Sequence, residues 1–469
     1  MSDIITYQEM QEAPSIAGWV ETAIERHKTG WLCRMAHVAD DYYRQRNRTI
    51  ERFVQIMYTP QGEKLKDPTA SNLRLKTNMF RRLNVQRCMY SLGKAPSFRD
   101  EATKEKLGKG FPDKLIELGR YALVHGIAFA VWDKDHMDVR KVTEMVPVWD
   151  EQTGALRAAV YFCRIDPEHP LTAILYEQEG YTTFLEGGDG KLAPTEEGRR
   201  AYLSTYEVVP ADGLVTNVTE ENYTSLPVIP VWGSDQHQST LAGIRESIDA
   251  YDLIKSGFAN DVQDCAEIYW IVENYGGMSQ DDLAQFRDRL KLTHVVEADT
   301  ADGGRVTPYT QDVPYAARKE LLASIKSDLY EDFGALDVHT IAASATNDHI
   351  DAAYQPLDEE ACEFEKHMRE AVRNLLALQG IDDEPRFNRS RISNQQEQAS
   401  IVLSEAEYLD EETVLKLLPN IPAEDVEAIL KRKSDEEGQR VQAQPAPVPD
   451  EGEEPEEGQR KRGYTIVEG

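Results

Sequence analysis

Residues 314–333 read Pro314-Tyr-Ala-Ala-Arg-Lys-Glu-Leu-Leu-Ala-Ser-Ile-Lys-Ser-Asp-Leu-Tyr-Glu-Asp-Phe333, and they run into Gly334-Ala-Leu-Asp-Val-His-Thr-Ile-Ala-Ala-Ser-Ala-Thr-Asn-Asp-His-Ile-Asp351. In the first part Leu321, Ile325, Leu329 and Phe333 recur at i+4 behind a proline at a permitted first-turn position, which predicts an amphipathic helix. The second part is small and polar and lacks a helical period, so it reads as a loop. Another apolar stripe, Phe364, Met368, Val372 and Leu375, predicts a further helix over 356–378. Between residues 327 and 365 there is no lysine or arginine, whereas Asp328, Glu331, Asp332, Asp337, Asp348, Asp351, Asp358, Glu359, Glu360, Glu363 and Glu365 are acidic. Two helices around a cation-free loop organise the rest of the chain.

Upstream, Leu241 opens another long helix, with Ile244, Ile248, Tyr251, Phe258 and Val262 on one side and Asp249, Asp252 and Asp264 on another. At ~25 residues it spans roughly 37 Å. A compact excursion separates the two long helices. It reads as strand 268–272, a small helix over 283–290, strand 294–297, the turn Asp302-Gly-Gly304 and strand 305–309. Nearer the N-terminus, 15–48 is helical, 59–72 is polar and turn-rich, 79–92 is a helix ended by Gly93-Lys-Ala-Pro96, and helix 112–125 stops at Gly126. The period then changes to that of strands: 127–132, 142–148, 158–165, 171–176, 181–185 and 226–232, with Gln152-Thr-Gly154 and Glu179-Gly180 suited to hairpin turns. The fold class expected is α+β, around an antiparallel sheet. Beyond residue 378, 386–392 reads as a strand returning to that sheet. Residues 397–403, 411–418 and 423–432 read as short helices, the second capped by Asp410. From Ser434 onward Pro, Gln, Glu and Gly dominate, and disorder is expected.

The chain has 469 residues and a net charge of −31, with 41% hydrophobic and 29% charged residues. The size implies about two to four structural units. The charge argues against tight nucleic-acid binding, because phosphate neutralisation by Lys and Arg supplies most of that affinity. Cys33, Cys88, Cys163, Cys265 and Cys362 are widely spaced without a C-x-x-C pair, so reduced thiols are expected rather than a zinc or redox motif. No signal peptide and no run approaching the ~18 apolar residues of a membrane span is found. The loop Glu186-Gly-Gly-Asp-Gly-Lys191 lacks phosphate-loop spacing and reads as a hairpin. His349 with Asp348 and Asp351 reads as a solvated loop histidine rather than a metal site. Neither a Gly-x-Ser-x-Gly elbow nor a His-Glu-x-x-His helix is present, and no catalytic residue, metal or cofactor is expected.

Four segments taken together resemble the portal proteins of tailed bacteriophages, the branch typical of long non-contractile tails. They are Asn78-Met-Phe-Arg-Arg-Leu with Tyr90-Ser-Leu-Gly-Lys-Ala-Pro96; His125-Gly-Ile-Ala-Phe-Ala-Val-Trp-Asp-Lys-Asp135 followed by Val146-Pro-Val-Trp-Asp150; Leu226-Pro-Val-Ile-Pro-Val-Trp232 with Ile248-Asp-Ala-Tyr-Asp252 and Asn260-Asp261; and Asn394 with Leu409-Asp-Glu-Glu-Thr413 and Pro419. The resemblance covers 42–433. It implies a ring, usually of twelve subunits, at one capsid vertex of the virion, assembled in host cytoplasm. Residues 1–240 would be a wing, 241–266 and 314–335 stem helices, and 267–313 a clip. Residues 336–355 would be a tunnel loop, 356–392 a long wing helix with a returning strand, 393–433 a crown and 434–469 an acidic tail. Implied partners are further copies of the chain, the terminase large subunit, a head–tail adaptor, and the major capsid and scaffolding proteins. Double-stranded DNA would pass without sequence-specific binding, and no membrane is involved.

On this reading Asp337, His339, Thr340, Ser344, Thr346, Asn347, Asp348, His349 and Asp351 face DNA. Asp249, Asp252, Asp264, Asp328 and Glu331 line the stem, and Asp299, Asp302 and Arg305 dock partners at the clip. The chemistry agrees. DNA carries one charge per about 1.7 Å, and an acidic wall within the ~8 Å Debye length repels it rather than holding it. Where the loop touches DNA, Thr340, Ser344, Thr346, Asn347 and His349 offer only neutral, easily exchanged hydrogen bonds. Two other readings compete: an acidic cytoplasmic hydrolase using paired carboxylates, and a different phage structural piece such as an adaptor or scaffold-binding protein.

Overall fold

The computed structural model describes residues 4–54, 56–58, 62–66, 71–196, 198–208, 215–264, 269–273, 279, 281–282, 285, 305–309, 315–340, 346–391, 400, 402–404, 406, 409–418, 421, 426 and 428–433. The expected strand 294–297, the turn 302–304, most of helix 283–290 and the tail from 434 lie outside the described residues. Two compact units are formed, Met1–Ala343 with Asp351–Ile392, and Ser344–Ile350 with Ser393–Gly469.

The first unit begins with α1 (Tyr7–Gln11), α2 (Ile16–Thr29), α3 (Trp31–Tyr43) and α4 (Arg48–Arg52). Side-chain caps start several of them: the Ser15 hydroxyl accepts the Gly18 N–H, and Asn47 accepts those of Thr49 and Ile50. The turn-rich segment that follows carries a small antiparallel hairpin, β1 (Ile56–Tyr58) with β2 (Lys64–Lys66). Its three-residue strands are too short to leave a period in the sequence. Helices α5 (Met79–Leu92), α6 (Glu101–Leu107) and α7 (Phe111–His125) come next. Gly119 on α7 is required by packing, because a Cβ there would lie 2.7 Å from Leu92 Cδ1 and 2.8 Å from Phe364 Cζ. Gly126 takes φ +89°, turning the chain sharply into the sheet.

Strands β3 (Ile127–Asp133), β4 (His136–Lys141), β5 (Met145–Trp149), β6 (Leu156–Cys163), β7 (Thr172–Glu177), β8 (Gly180–Glu186), β9 (Leu192–Pro194), β10 (Leu203–Val208), β11 (Val215–Glu221) and β12 (Val228–Trp232) follow. Every paired neighbour is antiparallel, in a five-stranded meander β5-β6-β7-β8-β9, a three-stranded sheet β12-β3-β4 and the pair β10-β11. The strand expected over 142–148 starts later, at Met145, because residues 142–144 form the turn between β4 and β5, in which the Glu144 N–H returns to the Lys141 carbonyl at 3.0 Å. The α+β class thus holds.

Helix α8 (Arg245–Asp264) leads to β13 (Tyr269–Glu273), which pairs antiparallel with β14 (Arg305–Tyr309). Helix α9 (Tyr315–Asp332) then returns beside α8. Phe258 meets Tyr315, with ring centroids 5.7 Å apart, and Ile244 and Ile248 share a cluster with Leu329 and Phe333, so the two helices run antiparallel. Next comes α10 (Asn347–Leu378), 32 residues with Pro356 inside it. Its stripe Phe364, Met368, Val372 and Leu375 is buried against α5, α7 and the three-stranded sheet. Each such side chain contributes about 1.5–3 kcal/mol before entropy. The expected strand over 386–392 is not formed among the described residues: its one β-bridge joins Arg386 to Ser97, and the segment is otherwise held by the Ser390 N–H to the Tyr90 carbonyl at 3.0 Å and by side chains of Arg389 and Arg391.

In the second unit α11 (Glu411–Leu417) is capped by Asp410, which accepts the Thr413 N–H at 3.0 Å. Ile350, Val402, Val414 and Val426 are its buried apolar side chains among the described residues.

Candidate functional site

The loop after α9 leaves from a fixed root. Gly334 at φ +62° ends the helix, and the Ala335 N–H returns to the Tyr330 carbonyl at 2.8 Å. From α5, the Gln86 side-chain amide brackets Leu336, donating to its carbonyl at 2.8 Å and accepting its N–H at 3.1 Å. Arg87 is buried one position further along. It donates to the Phe333 carbonyl, lies 4.2 Å above that ring and pairs with Glu360 at 2.8 Å. Burial lowers the Arg87 pKa from its ordinary value, and Glu360 counters it by stabilising the charge. Neither Gln86 nor Arg87 is marked by the sequence, where both are only polar positions on a helix. Beside this root is an open recess of about 400 Å³, lined among others by Arg81, Arg82, Tyr330 and His339.

Of the residues expected to face DNA, Asp337 is half-buried and accepts from Lys326 at 2.8 Å. Burial would raise its pKa, but the hydrogen bond and charge of Lys326 outweigh that and hold the carboxyl below the usual range. His339 is exposed in a short 3₁₀ turn, Val338–Thr340, whose last residue is Thr340. Ser344 lies outside the described residues. Thr346, Asp348 and His349 are exposed and Asn347 is half-buried. The loop expected over 336–355 is shorter than that, since α10 already begins at Asn347. Pro356 misled the boundary: a proline usually starts or breaks a helix, but the buried Ile350, Tyr354 and Leu357 carry the apolar spacing through it.

The acid run is not bare of cations once folded. Arg389 meets Asp358 at 2.6 Å and Glu365 at 2.9 Å, Arg391 meets Asp351 at 2.9 Å and also Asp358, and Arg87 meets Glu360. Among the stem acids, Asp328 and Glu331 are exposed on α9. Asp249 is half-buried and accepts from Tyr42 at 2.6 Å and Thr49 at 2.9 Å. Asp252 corrects the expectation outright, because it is 1% exposed and cannot present charge to a channel.

Asp252 is the first rung of a ladder. It accepts the Thr77 N–H at 2.9 Å and the Asn47 amide at 3.1 Å; Ser256 accepts the Leu75 N–H at 2.9 Å; Asn260 accepts the Leu73 N–H at 2.6 Å. Successive turns of α8 thereby hold alternate residues of the irregular segment 73–77. Asp264 ends α8, Arg305 opens β14 opposite Glu273, and Asp299 and Asp302 lie outside the described residues.

Cys33, Cys88, Cys163 and Cys362 are free thiols. One group of three metal-ligand side chains comes together among the described residues, Asp235, Glu363 and His367, and it is not the one weighed at His349. No helix among them is long and apolar enough to cross a membrane.

Known proteins match this chain over most of its length. The family described as "Phage portal protein, SPP1 Gp6-like" matches residues 34–439. The portal protein of Bacillus phage SPP1 is 24% identical over 488 aligned positions, covering 96% of this chain and 92% of that protein. The portal protein of Clostridium phage phiCD119 is 26% identical over 224 positions, covering 45% of this chain and 49% of that protein, so about half of that relative is matched. This extent of match makes the chain a member of the phage portal protein family, which is structural and not enzymatic.

Proposed function

We propose that copies of this chain assemble into a ring of twelve at one vertex of the capsid, forming the channel through which double-stranded DNA enters during packaging and leaves during ejection. The observation that carries this is the pair α8 and α9 with β13–β14 between their ends. Leu329 near the end of α9 and Phe333 just beyond it, away from β14, are buried within the chain, whereas Leu321 is 48% exposed. Leu253, Val262 and Tyr315 are exposed on the same helix pair. An apolar stripe sealed at one end and open at the other suits burial against a neighbouring copy, at about 1.5–3 kcal/mol for each side chain covered.

In this arrangement α8 and α9 are the stem, 267–313 the clip, residues 336–346 the channel loop and 393–433 the crown. Asp328, Glu331, Asp348 and His349 face the axis, and Arg305 belongs to the docking end. The terminase large subunit and then a head–tail adaptor dock at the clip, while major capsid and scaffolding proteins surround the wing. The pairing of Asp351, Asp358, Glu360 and Glu365 with arginines leaves the exposed acids of α9 and the start of α10 as the repelling surface.

Negative-stain imaging of the purified full chain, alone and with its scaffolding protein, tests the reading. Annular particles with a central hole are expected in at least one condition. Monomers or dimers in both, at high concentration, overturn it.

A further inference from the structure

Asp235, Glu363 and His367 bring three ligand-type atoms together at the surface of the first unit, all within 4.8 Å of one another. Glu363 and His367 stand one helical turn apart on α10, so their side chains leave the same face. Asp235 arrives from the loop that follows β12, and that loop is held in shape. His237 sits at φ +55°, in the left-handed region that few non-glycine residues adopt, though histidine does so more readily than most. Its ring stacks on Trp232 with centroids 4.0 Å apart and planes 14° from parallel. The Asp235 N–H donates to the Glu363 carboxylate at 2.5 Å, so loop and helix are already clasped.

The deciding atom is His367 Nε2. The side chain is only 10% exposed, and the atom lies 2.9 Å from Asp235 Oδ1, an ion-pair contact whose angles fall short of a well-aligned hydrogen bond. At this distance the two atoms are closer than ligands of one tetrahedral ion, so a metal enters only as Asp235 turns slightly away while His367 stays fixed by its burial. The Lys366 ammonium, 3.1 and 3.3 Å from the same carboxylate, is the competing occupant. It sits on a long, largely exposed side chain and is free to swing away.

We propose that Asp235, Glu363 and His367 form a zinc-type metal site that clamps the loop leading into α8 onto the long helix α10. One imidazole nitrogen and two carboxylates are a borderline set suited to Zn²⁺ or Co²⁺, whereas Mg²⁺ and Ca²⁺ prefer oxygen ligands throughout. Bonds of about 2.0–2.2 Å to a tetrahedral ion place ligand atoms roughly 3.3–3.6 Å apart, a distance the exposed Asp235 reaches by rotating its side chain. Water fills the fourth position. The inference stands whether or not the chain forms a ring.

Full-length protein, stripped with a chelator, is titrated with Co²⁺ while its visible absorption is followed. One Co²⁺ per chain with a ligand-field band is expected, displaced by Zn²⁺ and unaffected by excess Mg²⁺. His367→Gln loses the band, and His349→Gln keeps it. Zn²⁺ raises the Tm of wild type by about 2–4 °C at ligand excess and that of Lys366→Ala at lower concentration, but leaves Asp235→Asn unmoved. Identical Co²⁺ spectra for wild type and His367→Gln, or a Zn²⁺ shift equal in wild type and Asp235→Asn, overturn the site and leave Lys366 as its only occupant.

Discussion

Arg389 and Arg391 supply to α10 the positive charge that its own first turns lack. Arg389 reaches Asp358, the buried Glu365 and the sulfur of Cys362, while Arg391 reaches Asp351, Asp358 and the Tyr90 hydroxyl. Removing Arg389 leaves Glu365 buried without its counter-charge, so Arg389→Ala is expected to cost about 2–4 kcal/mol in urea unfolding. Arg389→Lys recovers only part of this, because an ammonium cannot reproduce the two-pronged guanidinium contact. Asp358 carries a pH signature. Burial would raise its pKa, but hydrogen bonds from Tyr90, Arg391 and Arg389 outweigh that and hold it below the ordinary value. Its folded pKa is therefore depressed, so its contribution is fully present above the unfolded value of about 3.9 and is lost as pH falls through the folded one. Asp358→Asn should make the acid limb of a stability-versus-pH curve shallower below pH ~4, and an unchanged limb would refute this assignment.

Helix α8 does more than present an apolar stripe. Its turns at Asp252, Ser256 and Asn260 bind the backbone of residues 73–77 through their side chains, so a segment without secondary structure of its own is fastened to a helix. Amide exchange read by mass spectrometry should show this directly. Ser256→Ala is expected to speed exchange of the 73–77 peptide at a stability cost of about 1 kcal/mol. Asp252→Ala should cost more, since it releases both Thr77 and Asn47. Protection unchanged in both variants would show that the segment is held by other contacts. Helix α10 illustrates the opposite case. A proline at 356 marks a boundary in the sequence, yet buried apolar residues on both sides carry one helix through it.

For the whole molecule, a net charge of −31 is the property any account of DNA passage must accommodate. In the proposed channel, repulsion from exposed acids keeps the duplex moving, so added cations should retard it. Asn347→Arg combined with Asp348→Arg changes the first turn of α10, where the helix dipole favours acids, and is expected to cost about 1 kcal/mol or less. Rings should therefore still form on grids while DNA packaging slows or stalls. Wild-type packaging rates in this double variant would show that the start of α10 does not meet DNA.

What could be read from the chain alone is what depends on near neighbours. The Gly93-Lys-Ala-Pro96 stop marked the end of the helix Met79–Leu92, short apolar runs bounded by turn residues marked the strands around Ile127–Asp133 and Thr172–Glu177, and ordered short motifs pointed to the portal family. The hairpin Ile56–Tyr58 with Lys64–Lys66 and the short strand Leu192–Pro194 escaped, being too short to carry a period. The cation-free run of acids was legible as composition, but its charge balance was not. Which carboxylate meets which arginine is settled by the tertiary fold, which sets Arg87 on one helix and the segment holding Arg389 and Arg391 beside another. For the same reason Asp252 looked like a surface charge and is a buried acceptor: hydrogen bonding of a side chain to a distant backbone leaves no local trace in sequence.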